Sequence, residues 1–507
     1  MKERRYTDMK KINKATIFLT FAMMGLSSCS DFLDKTPSKS SNTPVTTAAN
    51  LLAVYDNLAN RYCNNYFAAY STDDAEIPRD MYKGNANQFN INYVVSYYVH
   101  FRDGIINNSS DGLWEMEYNR IYKANLMISS ASEVSGSQEE IQEALSCAYF
   151  MRAYSFFQLA TFYCQPWSET NKGELGVPLR MGLAFDEGIS RGTLEDTYNQ
   201  IFSDLQACEE HTTQDAVPSI PWRVSKCAIN ALYARIYQAR GEFDKALEYA
   251  NKALSNAPAL YDYNQLSYKT PPTKYAATDF WPALELKLCE TDAWNENKIL
   301  YNYTEWIYPE FANIRTQMTY PSQQLMAMYD HTNDLRFRYY FVEHGTRRMS
   351  LNYDGYRYDP WYDGRYLNSG LTTAEVLLIK AESQVRLGQW QEGLATLTPL
   401  REARYEKGTA TALTANNQAE ALQAVLAERR RELPFYFRFG DIKRFAVTPD
   451  TSDDVTVTRE FFDMTATKVD ENSPKTYTIP GNSKCWAMPI YQTEINSAQG
   501  SIEQNPE

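Results

Sequence analysis

Four histidines in 507 residues leave little room for the acid–base and metal chemistry that histidine usually carries. They stand far apart, at positions 100, 211, 331 and 344, and each reads as a surface or packing residue. The eight cysteines (29, 63, 147, 164, 208, 227, 289 and 485) include no Cys-x-x-Cys pair and no neighbouring histidine, which excludes the common zinc spacings and a dense disulfide framework. Most read as small buried apolar residues. Lys and Arg number 50 against 63 Asp and Glu, a formal charge of −13, with no dominant basic cluster, so a nucleic-acid partner is excluded. No segment is read as a nucleophile elbow, a His-Glu-x-x-His helix, a phosphate loop or a dinucleotide fingerprint. With so many carboxylates, pairs at glycosidase spacing arise by chance and discriminate nothing. The chain therefore reads as a non-enzyme without a cofactor. No metal site is predicted; acidic and Asn-rich loops could supply calcium ligands, but no EF-hand spacing occurs.

Long apolar runs are also lacking. The longest, Ile17 to Leu26, spans about ten uncharged residues behind Lys10, Lys11 and Lys14, where a membrane span needs roughly 20. It reads as the core of a signal peptide, residues 1–28. Leu26-Ser27-Ser28-Cys29 then matches a bacterial lipobox: an aliphatic residue, two small ones that let extended backbone enter a peptidase cleft, and a cysteine that becomes the acylated first residue. Cys29 is the lipidation site on this reading. Cleavage removes six Lys/Arg and two Asp/Glu, leaving −17. Residues 29–44, with Ser, Thr and Pro from Lys35 on, have too little apolar content to fold and read as a tether.

What the chain has in abundance is aromatic surface: 38 Tyr, 23 Phe and 9 Trp. Tyrosine joins a flat apolar face to a polar tip and has only two torsions to immobilise, which suits ligand-gripping surfaces as well as half-buried helix positions. Helical spacing starts at Thr46, with Leu51, Leu52, Tyr55 and Leu58. It recurs over Asp111–Ser130, where Trp114 reads as core, over Ile141–Tyr163, and over Thr193–Glu209, which opens on the capping box Thr-Leu-Glu-Asp. An internal repeat relates 231–247 to 378–394 at an offset of 147. It matches Ala234 with Ala381, Gly241 with Gly388, Phe243 with Trp390 and Leu247 with Leu394. Small residue, glycine, aromatic and small-Leu pair is tetratricopeptide-like logic, and 111–163 and 193–240 read as degenerate copies. The fold class is all-α, with no βαβ alternation. One domain spans 45–507, with a helical scaffold over 45–63, 111–260 and 371–445. Irregular regions fill 64–110, 261–370 and 446–507 and include Trp281, Trp294, Trp306 and Trp361. Such aromatic content argues against disorder.

The segments SCSDFLDKTP, LWEMEYNRIYKANLMI, ALSCAYFMRAYSFFQLATFY followed by GVPL, RGTLEDTYNQIFSDL, LTTAEVLLIKAESQVRLGQW, ERRRELPFYFRFGDIKRF and CWAMPIYQTEINSAQGSIEQNPE, in this order, resemble the SusD/RagB family of Bacteroidetes outer-membrane lipoproteins. The resemblance covers nearly the whole mature chain. One departure is Met488-Pro489-Ile490-Tyr491, which keeps a single proline where the family often has two. The resemblance implies a right-handed superhelix of four tetratricopeptide-like units under an irregular, ligand-binding half. It also implies a palmitate-bearing, surface-exposed lipoprotein partnered with a SusC-like TonB-dependent transporter, capturing a glycan or, in some members, a peptide, within a polysaccharide-utilisation or nutrient-uptake system. The implied location is the outer membrane, facing the exterior.

The matching motifs are scaffold ones, so ligand residues rest on the residues alone. Sugar rings lie against Trp or Tyr while fixed polar groups hold their hydroxyls. Tyr82, Asn85, Phe89 and Tyr93 in one irregular region, and Trp294, Asn295, Trp306 and Tyr308 in another, supply that mixture, and the expectation is that the two loops meet in one shallow site. The run Glu428-Arg429-Arg430-Arg431-Glu432 reads as ion pairing within one helix. The alternative function is a generic tetratricopeptide-type scaffold for protein partners, which would need no aromatic loops.

Overall fold

The sequence breaks its helices where capping chemistry dictates. A computed structural model describes residues 45–65, 70–89, 94–107, 112–184, 189–266, 303–313, 320–343, 355–358, 360 and 366–506. Residues Thr47–Glu507 form one compact unit; residues 1–28, read as a signal peptide, and Cys29 lie outside the described residues. The expected helices are present as α1 (Ala48–Tyr55), α2 (Gly112–Ser130), α3 (Gln138–Tyr163) and α4 (Leu194–His211). Thr193 caps α4 as its spacing predicts: its Oγ1 accepts from Asp196 N at 3.0 Å while Asp196 Oδ2 accepts from Thr193 N at 2.9 Å. α2 packs against α3, and α3 against α4; Trp114 is buried with its ring edge-on to Tyr163 at 5.0 Å.

The repeat forms two helical hairpins, α5 (Lys226–Ala239) with α6 (Phe243–Leu254) and α7 (Thr373–Arg386) with α8 (Trp390–Thr396), and α6 packs on α7. Gly241 and Gly388, equivalent in the repeat, close α5 and α7 at φ +73° and +86°, the left-handed position that ends a helix. The small residues do what the pattern requires: Ala234, Ala246, Ala250 and Ala381 are all fully buried, letting helix backbones approach. α9 (Gln418–Glu432) then packs on α7 and α8, and α10 (Tyr436–Phe445) contacts α5. The scaffold is thus all-helical and tetratricopeptide-like.

The irregular regions hold short strands that the alternation of their side chains did not announce. β1 (Tyr62–Asn64) pairs parallel with β3 (Phe311–Asn313), which pairs antiparallel with β4 (Tyr366–Asn368). Between them in sequence, β2 (Trp306–Tyr308) pairs with β5 (Leu371–Thr372). Gly370, just ahead of β5, has no room for a side chain, since a Cβ would sit 2.3 Å from Tyr308 O. The C-terminal region, read as irregular, instead contains the longest strands among the described residues. β6 (Thr456–Thr465) and β7 (Lys468–Pro480) form an antiparallel hairpin with a bulge at Phe462/Asp463, missed because β7 alternates polar residues with Pro474 and Pro480.

The C-terminal motif has a definite task. The last four carbonyls of a helix lack internal partners. At the end of α3, Lys443 donates to Thr161 O and Cys164 O, Met488 N to Phe162 O, and Asn505 Nδ2 to Tyr163 O. α10 and the chain end therefore dock on the end of one 26-residue helix.

Because a Cβ on Gly388 or Gly241 meets open space, Gly388→Ala and Gly241→Ala should each cost about 1 kcal/mol from backbone strain alone; equal urea midpoints for wild type and variants would contradict the repeat assignment. Near the C-terminus, Glu494 is pushed up to about 7 by burial and then by Glu115. A raised folded-state pKa leaves little penalty near pH 4, where the acid is protonated, and a full penalty above pH 7. Glu494→Gln should therefore gain stability of order 1 kcal/mol at pH 8, with solvent screening of this half-exposed group allowed for, and almost none at pH 4.

Candidate functional site

Aromatic side chains of the irregular half stand on a floor of buried ions. Arg404, fully buried, donates to Glu305 at 2.9 Å and Glu432 at 2.8 Å. Arg336 reaches Asp334 and Glu428 at 2.8 Å and Glu432 at 3.1 Å. Beneath β2 and β3, Glu310 takes Arg61 and Arg120, each at 3.1 Å. Arg235 of α5 chelates Glu375 and also donates to Ser369 O and Gly370 O, tying the approach to β5 to the scaffold. Burial alone would raise the Glu428 carboxyl, but Arg336, Arg431 and Arg401 hold it well below the usual carboxylate range.

The five described site candidates are buried, where the sequence reading expected the two loops to meet in one shallow site. Tyr82, Asn85 and Phe89 are no more than 6% exposed. Tyr82 packs on Phe89 at 5.6 Å and edge-on to Phe461 of β6 at 5.0 Å, and Asn85 Nδ2 turns back to Met81 O. Trp306 and Tyr308 are buried on β2. Trp306 meets Tyr303 at 5.0 Å and Phe311 at 5.3 Å; Tyr308 takes Arg61 and Tyr55 on its hydroxyl and Phe150 against its ring. The two groups sit in different clusters, one under the β6–β7 hairpin and one around Arg61. An apolar face already covered by neighbours has none left for a sugar, and the hydrophobic effect drives rings of this size inward wherever a core accepts them. Tyr93, Trp294 and Asn295 lie outside the described residues.

Rings that do reach solvent are fewer. They include Tyr122 and His331, both exposed, and Tyr62, Phe101, Phe337 and Tyr356, which are half-buried. Sequence reading passed over His331 and Phe337, since nothing in HTNDLRFRYYF separates a ring on the surface from one beneath it.

Catalytic constellations are not assembled among the described residues. Gly188-Ile189-Ser190-Arg191-Gly192 does carry the Gly-x-Ser-x-Gly spacing, which the reading for an elbow overlooked. Ser190 enters the short strand Arg191–Thr193, and the described histidines are engaged elsewhere. His100 Nε2 bonds Ser71 O, His211 bonds Gln142, and His331 bonds Met326 O, so none serves as its base. Cys63, Cys147, Cys164, Cys208 and Cys227 are buried free thiols, as their scattered spacing suggests. Among the described residues no helix is long and apolar enough to cross a membrane.

Comparison with known proteins agrees with this architecture. A family model described as "Starch-binding associating with outer membrane" matches residues 31–238, and the SusD family model matches 283–507. SusD-like protein P2 of Formosa agariphila is 24% identical over 399 residues, 68% of this chain and 73% of that protein. Among solved structures, a SusD superfamily protein from Bacteroides thetaiotaomicron superposes with a TM-score of 0.64 at 17% identity, covering 91% of this chain and all of that one. A laminarin-binding SusD-like protein superposes at 0.55 and 15% identity, covering 90% and 98%. With two family models side by side along the chain and the same helical scaffold beneath them, this protein belongs to the SusD family.

Proposed function

We propose that this protein is a lipid-anchored, non-catalytic capture protein of the outer-membrane surface, which binds a glycan and passes it to a SusC-like TonB-dependent transporter. The observation that carries the reading is the SusD-family match across both halves of the chain. The carbohydrate class is supported by the starch-binding description of the first family model and by the laminarin-binding neighbour. The anchor rests on the lipobox ending at Cys29, and the tether after it supplies slack for a body that works over a transporter. Tyr93, Trp294 and Asn295 stay on this reading as proposed ligand contacts. Tyr82, Asn85, Phe89, Trp306 and Tyr308 are packed in the interior.

Three outcomes test this. Wild-type protein should be retarded in gels containing laminarin, soluble starch or galactomannan; retardation by none of these glycans, or binding of peptides only, would overturn the glycan reading. Cys29→Ser should fold normally and leave the membrane fraction of cells that lack the partner transporter; continued membrane attachment there would remove the anchor. Trp306→Ala should lose about 3–5 kcal/mol of stability through cavity formation, and weakened binding with an unchanged urea midpoint would return Trp306 to the ligand surface.

A further inference from the structure

Between the short helix Arg102–Ile106 and the C-terminal segment 485–489 lies a cavity of about 300 Å³, a volume at the lower end of those that hold small ligands. Ile105, Met488 and Pro489 wall it and are buried; Phe101 and Cys485 are half-buried and Asp103 is exposed. It is therefore a hole that opens on the surface. Its two sides are bonded in place. Met488 N donates to Phe162 O at 2.9 Å, and Arg102 donates to Asn505 O and, at 3.2 Å, to Pro506 O. Interiors seldom keep unfilled volume of this size, and walls fixed before binding spare a ligand the cost of ordering them.

His100, which lines the same cavity, is held at φ +54°, a left-handed backbone that residues other than glycine adopt at a cost. Its ring stands edge-on to the buried Trp486, centroids 4.7 Å apart. Nε2 donates to Ser71 O at 3.0 Å, and burial keeps the ring neutral by lowering its pKa to about 4. Nδ1 is then a buried lone pair with no hydrogen-bond partner among the described residues. Backbone strain and an unsatisfied buried atom on one residue concentrate at functional sites.

The lining selects the occupant. Cys485 and Met488 bring sulfur and Phe101 and Pro489 bring rings, and sulfur favours aromatic neighbours over aliphatic ones. A lining this apolar leaves sugar hydroxyls unmatched. At the mouth, Arg102 and Asp103 set opposite charges next to each other, which disfavours a cation and an anion alike, while the Asp103 carboxylate can accept from a neutral donor.

We propose that this cavity binds one neutral aromatic ring carrying a single N–H or O–H donor, of the indole or phenol class, with the ring against Cys485, Met488 and Pro489 and the donor toward Asp103. Such a ring exists as a free small molecule or at the end of a Trp or Tyr side chain of another protein. The site is independent of glycan capture.

Calorimetry on the mature chain carrying Cys29→Ser, with indole, p-cresol, N-acetyltryptophanamide and cyclohexylmethanol, tests the assignment. Indole or p-cresol should bind at least about threefold more tightly than the aliphatic alcohol, the worth of a sulfur–aromatic contact. With indole at about ten times its Kd, alkylation of Cys485 by iodoacetamide, followed by peptide mass spectrometry, should slow about tenfold, in proportion to the unoccupied fraction. Cys485→Phe at the mouth and Ile105→Phe inside should each weaken binding by about tenfold or more, with urea midpoints taken alongside. Absence of saturable binding by both free rings, unslowed alkylation, equal affinity for cyclohexylmethanol, or undiminished binding by a folded Cys485→Phe chain overturns the proposal. Protection of Cys485 by N-acetyltryptophanamide as well as by indole supports the site and makes a protein side chain its occupant; protection by the free rings alone supports it and makes the occupant a small molecule.

Discussion

Two carboxylates one turn apart, Glu428 and Glu432 on α9, set the junction on which the rest of this structure depends. Between them they receive Arg336, Arg401, Arg404 and Arg431, with every participating side chain mostly or wholly buried. An ion removed from water must be paired, and losing one partner strands the other at a cost of about 3–5 kcal/mol. The arrangement is therefore intolerant of slippage between scaffold and irregular half. The neighbouring arginines of α9 extend the same logic: Arg429 reaches Asp441 on α10, and Arg430 reaches Asp73 and Asp74 on the 70–78 segment. On α7, Glu382 binds Arg386 and Arg444; burial would raise its carboxyl, but those two cations hold it well below the normal range.

This floor explains the aromatic composition better than ligand binding alone does. Tyrosines at the junction spend their hydroxyls inside the protein: Tyr55 on Trp222 O, Tyr154 on Ser369 O, Tyr436 on Gln158, and Tyr263 with Tyr340. A buried Tyr needs a partner for its hydroxyl, and short, twisted strands with irregular connections leave carbonyls that supply one. Arg459 of β6 does the same for four carbonyls of Tyr70, Thr72, Ala75 and Tyr98. Large rings and long arginines thus replace the regular hydrogen-bond ladder that a sheet would provide.

Legibility followed physical range. Helix boundaries, the capping box at Thr193 and the two glycine-closed hairpins depend on residues within a few positions of each other, so periodicity and spacing located them. The run Glu428 to Glu432 was rightly taken as ion pairing, but wrongly as pairing within one helix: only Arg431 with Glu428 is local, and the other partners stand as far away as Asp73. The β6–β7 hairpin escaped because exposed polar residues and two prolines mask its alternation. The burial of the five described ligand candidates is illegible for a related reason. An aromatic residue in a loop has the same signature whether its ring faces water or the core, and Trp306 and Tyr308 are on the core side.

By itself the sequence determined the helical scaffold, its repeat and the family, because each is written in local spacing or in the order of motifs along the chain. Only the tertiary structure decided which rings are floor and which are surface, and which arginine answers which carboxylate. Those choices are made by burial and by contacts across hundreds of residues, where the energy of a charge or a ring depends on what surrounds it rather than on what it is.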